Sequence, residues 1–252
     1  MTHWTERFKA SGIHLGISLA IAAAAALLVF GLWYPYPYRD ISGGRELFLI
    51  VVAVDVVIGP LITLAVFNRR KPWGELRRDL ATVGVIQLAA LGYGVWTVAV
   101  ARPVHLVFEI DRFRVVHGVD VPDALLGRQP AQVDALPWSG PTLLAVRPFR
   151  NNDESFEATM AALKGLQVGA RPDLWQPYEA AKSRVLQAAK PVTELKKRFA
   201  ARASDIDAAL KAAGRGAETM AYLPVVGRNV FWTAFVDPAT ADVVAFMPLD
   251  SF

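Results

Sequence analysis

Asp55 is the residue whose type and setting most demand a chemical account, because it is the one ionisable group in the apolar run of residues 47–67. A carboxylate near the middle of a lipid-spanning helix costs roughly 2.5–3.5 kcal/mol at insertion, so it is expected to face a partner. Within the chain, Thr63, Gln87, Tyr93, Thr97 and Arg45 are within plausible reach. Outside it, the partner would be another protein's helix or a proton path. Two readings stand side by side: a protonated Asp hydrogen-bonded inside its own bundle, or a carboxylate on a surface that receives a foreign helix. Aspartyl-protease chemistry needs a carboxylate pair, which this run lacks. Ion translocation is disfavoured because the spans hold no second ionisable residue.

Gly59 and Pro60 follow Asp55 closely and would open or kink the second span. In the third span Gly84, Gly92 and Gly94 leave shallow grooves that another helix could approach. Asp55, Gly59, Pro60, Gln87, Gly92 and Tyr93 therefore form the candidate contact set for a partner helix, with ordinary packing among the chain's own spans as the competing reading. Elsewhere chemistry finds little support. The four histidines, His3, His14, His105 and His117, match no metal-ligand spacing. Ser139 and Ser155 lack a nucleophile-elbow context, and no glycine-rich phosphate loop follows a strand. With no cysteine there is no disulfide, thiolate metal site or cysteine nucleophile. The carboxylates of the second half are interspersed with basic residues, the pattern of a solvated surface. The chain reads as a non-enzyme without cofactor or metal.

The elements that must carry these residues follow from composition. The chain has 252 residues, 54% hydrophobic and 20% charged, and the apolar surplus lies before Arg102. Residues 15–33, 47–67 and 80–101 are each long enough to cross a hydrocarbon core of ~30 Å. The loop between the second and third carries Arg69, Arg70, Lys71, Arg77 and Arg78, so the positive-inside rule expects it in the cytoplasm. The N-terminus is then cytoplasmic and everything past residue 101 extracytoplasmic. An alternative for the first span is a cleaved signal, since Arg7 and Lys9 precede it and Ala24 with Ala26 fit a cleavage rule; its apolar run, however, continues to Trp33, which suits an anchor. Trp33, Tyr34, Tyr36, Tyr38 and Trp73 fall at span ends, where aromatic belts sit. The formal charge of +4 comes mainly from the membrane part: from Arg102 onward 18 basic residues meet 17 acidic ones, which argues against a nucleic-acid partner.

Residues 102–252 are enough for an independent domain. Strands are expected at 104–110, 112–117 and 142–146, then at 219–226, 229–236 and 243–247, with a turn at 237–240. Between them helices are expected at 153–163, at 174–189 with a break near Pro177, and at 205–213 after a Ser204 cap. Strands flanking a helical middle suggest an α+β domain with an antiparallel sheet. Trp175 and Trp232 are expected to be core residues.

Several segments together resemble the type IV pilin accessory proteins of the TfpX/TfpZ type, bacterial inner-membrane proteins. The resemblance lies in Trp33, Tyr34 and Pro35 with Gly43 and Gly44, in the D-x-x-x-G-P-L-x-T block from Asp55 to Thr63, and in the Ile86 to Gly94 stretch. It continues at Arg102, Pro103 and Val104, at Asp111, Arg112 and Phe113, and near the end at Leu223, Pro224 and Val225 and at Met247, Pro248, Leu249 and Asp250. It implies a noncatalytic, chaperone-like accessory that binds or stabilises a type IV pilin subunit in the bilayer and assists pilus biogenesis. The family brings no catalytic residues and no cofactor. Its place is the bacterial inner membrane, with a periplasmic C-terminal domain. A membrane-anchored periplasmic sensor or ligand-binding module is the competing function.

Overall fold

In lipid a backbone must satisfy its own polar groups, so long apolar runs coil into helices. The computed structural model, which describes residues 2–252, has three helical segments long and apolar enough to cross a membrane: Trp4–Trp33, Gly44–Val66 and Trp73–Val100. The chain divides into two units, Met1–Ala101 and Arg102–Phe252.

In the first unit α1 (Thr2–Leu28) ends in a π-helical turn, Val29–Trp33, and a loop holding the short α2 (Tyr38–Ile41) leads to α3 (Gly44–Val52). A second π turn, Ala53–Ile58, joins α3 to α4 (Gly59–Val66), and α5 (Trp73–Val100) completes the unit. The helices extend beyond the apolar runs because their charged ends also coil. At one end Arg69 lies 3.4 Å from Glu6, which sets the basic loop beside the start of α1. At the other, Tyr34 is fully buried and donates to the Val98 carbonyl at 3.1 Å. Its ring presses on Gly44, where a Cβ would come within 2.3 Å of it. The Tyr34 and Gly44 motifs are thus two halves of one latch.

The second unit holds β1 (Pro103–Phe108), β2 (Phe113–His117), β3 (Thr142–Val146), α6 (Asn152–Leu163), β4 (Trp175–Pro177), α7 (Lys182–Ala188), β5 (Lys190–Pro191), α8 (Val192–Arg198), α9 (Ala203–Ala212), β6 (Ala221–Val226), β7 (Phe231–Val236) and β8 (Val243–Met247). All eight strands form one sheet, in the order β4-β3-β1-β2-β6-β7-β8 with β5 beside β6. The sheet is mixed, which corrects the antiparallel expectation: β1 runs parallel to β3, and β2 parallel to β6. Hairpins force antiparallel neighbours, but long crossovers return the chain in the same direction, and both parallel pairs are joined by such crossovers.

The helical middle differs too. Residues 174–189 are a short strand, a 3-10 turn and α7 instead of one broken helix, and α8 arises where no helix was expected. Helix α9 starts at Ala203, before the Ser204 that had been assigned as its cap. Helix α6 begins as its acidic first turn suggests, with the Asn151 side chain accepting from the Glu154 amide at 2.8 Å. One core packs Val104, Val116, Leu174 and Trp175, and a second gathers Leu195, Ile206, Leu210 and Phe235. Trp175 and Trp232 are both buried.

Candidate functional site

Around Asp55 the backbone explains the side chains. The Gly59 N–H donates to Val54 O, five residues back, which puts this turn in the π register. In that register the next acceptor, Asp55 O, faces the nitrogen of Pro60, which has no hydrogen. Gln87 Nε2 reaches over from α5 toward this freed carbonyl, at a long 3.5 Å. It can do so because residue 59 is glycine: a Cβ there would lie 1.7 Å from Gln87 Nε2. Gly59, Pro60 and Gln87 are therefore one device that joins the second and third spans.

The first span adds polar groups of its own. Ser11 donates to Pro60 O at 2.9 Å, His14 Nδ1 is hydrogen-bonded to Thr63 Oγ1 at 2.5 Å, and Ser18 is buried. Together with Asp55 and Gln87, His14 and Ser18 line a cavity of 170 Å³ between the three spans. Asp55 is 7% exposed, and its carboxylate Oδ1 is buried with no hydrogen-bond partner among the described residues. None of the five partners named from sequence meets that carboxylate: Thr63 binds His14, Thr97 donates to Tyr93 O, Arg45 pairs with Asp40, Gln87 touches the Asp55 carbonyl, and Tyr93 points outward.

Asp55 also borders a second, apolar cleft of 270 Å³ between the second and third spans, walled by Leu47, Ile50, Val51, Val54, Ala90 and Tyr93, with Gly94, Thr97 and Val98. Tyr93 is exposed there and lies against Trp96, with ring centroids 5.8 Å apart. Gly92 is exposed and would meet nothing within 4 Å if it carried a Cβ, and the same holds for Gly84. Gly94 instead accommodates Val51 of the chain's own second span, so it is the one glycine of these three that mediates a close helix contact.

The six residues named as one contact set thus fall on two faces. Asp55, Gly59, Pro60 and Gln87 point into the bundle, and Gly92 and Tyr93 point out of it. Sequence reasoning missed Ser11, His14 and Ser18. Their spacing of three and four residues puts them on one stripe of an otherwise apolar helix, a signal hidden by starting the span at residue 15.

In the second unit His105 and His117 occupy strand positions but are buried, and they have separate partners. His105 contacts Thr142 Oγ1 at 2.6 Å and Ala135 O at 3.1 Å; His117 Nδ1 lies 3.0 Å from Asp120 Oδ2. The His3 side chain lies outside the described residues. Glu109 departs from the solvated pattern expected of the carboxylates: it is buried, and accepts from Arg114 Nε at 2.7 Å and from the Gly169 amide at 2.8 Å.

A family model described as fimbrial assembly protein FimB matches residues 2–43, the first span and the loop after it. The chain is similar over nearly its whole length to two fimbrial assembly proteins of Dichelobacter nodosus. The one from serogroup I is 35% identical over 246 residues, covering 97% of this chain and 95% of that protein. The one from serogroup E1 is 34% identical with the same coverage. A third, from serogroups C1 and C2, is 42% identical over 113 residues, or 45% of this chain and 86% of that protein. No solved structure matches the chain.

Proposed function

The chain belongs to the fimbrial assembly proteins, a type IV pilin accessory family with a role in pilus assembly, and from that premise we propose that it is a noncatalytic, chaperone-like protein of the bacterial inner membrane that holds the pilin subunit before assembly. The pilin's apolar helix docks in the cleft between the second and third spans, and the periplasmic unit stands on the same side as the pilin's globular head. The observation that carries this reading is the cleft itself, apolar in its walls with Asp55 at its border. Such a groove gives a neighbouring helix van der Waals contact together with one polar group to meet, and polar contacts of this kind are worth about 0.6–2 kcal/mol each.

The test is a photo-crosslinker at Val54 or Tyr93, with Leu19 on the exposed face of the first span as control. Both cleft positions should trap pilin and the control should not. Asp55→Leu should lower pilin co-purification while the protein still accumulates, and Asp55→Asn should be mild. Absence of crosslinks from both cleft positions, with pilin recovery unchanged in Asp55→Leu, would remove the cleft from the binding surface. Deletion of the gene should lower pilin in the inner membrane or pili on the surface.

A further inference from the structure

Strands β1 and β3 run parallel, with Phe108 beside Ala145, so the chain leaves both of them at the same edge of the sheet. In open sheets with parallel strands, the crevice outside the carboxyl ends is where ligands bind. A cavity of 540 Å³ lies there, between Glu109 and Ile110 after β1, residues 146–149 at the end of β3, and Arg184, Gln187 and Ala188 of α7. Its size falls in the usual range for ligand pockets, ~300–1,000 Å³.

The charges that line this cavity are balanced at every residue but one. Glu109 is taken by Arg114 and the Gly169 amide, and Arg147 is clasped by both oxygens of Glu154, at 2.7 and 2.8 Å. Arg184 has no carboxylate partner among the described residues. Its Nη2 donates to the Val146 carbonyl at 2.5 Å, and its guanidinium carbon lies 5.8 Å from the centre of the Phe108 ring. A carbonyl and a ring leave its charge uncancelled. Burial pulls the guanidinium below its ordinary pKa, and no neighbouring charge opposes that pull. Nε and Nη1 have no acceptor in the protein and are not sealed off, so N–H donors remain for a ligand. Next to them Ile110, which is 67% exposed, forms an apolar wall with Pro148, Phe149 and Ala188.

We propose that this crevice binds a small monocarboxylate with an apolar body, its carboxylate on Arg184 and its body against Ile110 and Phe149. A guanidinium recognises a carboxylate through paired N–H donors, and a charge withdrawn from water is matched by an opposite one. One uncompensated guanidinium calls for a single negative charge, and the apolar wall for a body that a mineral anion lacks. The proposal concerns the second unit and stands apart from the membrane cleft.

Fluorine NMR titration of the full-length protein in lipid nanodiscs tests it, with 4-fluorophenylacetate as probe and empty nanodiscs subtracted. The probe should bind saturably, with Kd at or below about 1 mM. The uncharged 4-fluorophenylacetamide should bind about tenfold more weakly, through loss of the charge-assisted contact. Arg184→Gln should bring the acid down to the level of the amide while hydrogen exchange of β1 and β3 stays unchanged. Ile110→Glu alters an exposed residue at the crevice and should also weaken the acid about tenfold, by placing a like charge there, which keeps the test open should Arg184→Gln fail to fold. The proposal is overturned by no saturable binding up to about 10 mM, by equal binding of acid and amide, or by unchanged acid binding in a folded Arg184→Gln or in Ile110→Glu. Displacement by acetate or sulfate at the same concentration as by unlabelled phenylacetate would also overturn it, since the apolar wall would then add nothing. Crosslinking of pilin at Val54 and Tyr93 does not involve Arg184, so failure here leaves the membrane reading standing.

Discussion

His105 shows how a single buried residue sets the pH response of the second unit. It is fully buried, and its Nε2 faces the Ala135 carbonyl, which only accepts; Nε2 therefore carries the proton and Nδ1 accepts from the Thr142 hydroxyl. Burial pushes the imidazole down to about 4, against the opposing pull of the Ala135 carbonyl and the nearby Asp134. The folded value lies below the unfolded one, near 6.5. Between the two, the unfolded chain takes a proton that the folded chain refuses, so stability is complete above pH 6.5 and is lost as pH falls toward 4. The loss reaches ~3 kcal/mol at most. Hydrogen exchange of β1 and β3 in the full-length protein, corrected for intrinsic rates, should show easier opening at pH 4.5 than at pH 7.5, and His105→Gln should flatten that difference. Equal pH dependence in both proteins would refute the assignment. Asp55 teaches the complementary lesson: a carboxylate in an apolar run is legible as costly, but which groups surround it is not.

At the scale of elements, glycines rank the helix contacts of the membrane unit. A Cβ at Gly44 would collide with the buried Tyr34 ring, which has no room to turn, so Gly44→Ala should cost about 1–3 kcal/mol. A Cβ at Gly59 meets the far end of a flexible Gln87 side chain; Gly59→Ala should cost less, and Gln87→Ala should recover most of that loss. Gly92→Ala, with nothing in reach, should be neutral or slightly favourable to the helix. Unfolding midpoints in detergent check this order, and a Gly92→Ala more damaging than Gly44→Ala would overturn the packing account. The glycine–proline pair was visible in the sequence as a helix opening. Its use as the seat of Gln87 was not, because residues 59 and 87 meet only when two spans pack.

For the molecule as a whole, topology is the sharpest expectation. Arg69, Arg70, Lys71, Arg77 and Arg78 should stay cytoplasmic, placing the N-terminus in the cytoplasm and the second unit in the periplasm. An alkaline phosphatase fusion after Phe252 should be active and one at Arg77 inactive; the reverse activities would invert the orientation. The similarity to the Dichelobacter nodosus proteins covers 97% of the chain, so it extends across both units and not the membrane helices alone.

Hydropathy and charge alone determined that three apolar helices precede a separate α+β unit, since the cost of unpaired backbone in lipid and the period-two pattern of strands are local properties of the chain. Most strands, the acidic start of α6 and the burial of Trp175 and Trp232 were legible for the same reason. Tertiary structure decided what no local window contains. It set β1 beside β3 and β2 beside β6 in parallel, drew His14 and Ser18 toward Asp55 and Ser11 to the Pro60 carbonyl, and divided one list of six contact residues between an inner seam and an outer cleft. Each of these joins residues far apart in the sequence, and such pairings are chosen by packing and by the direction of the crossovers between elements, not by the propensities of the residues that meet.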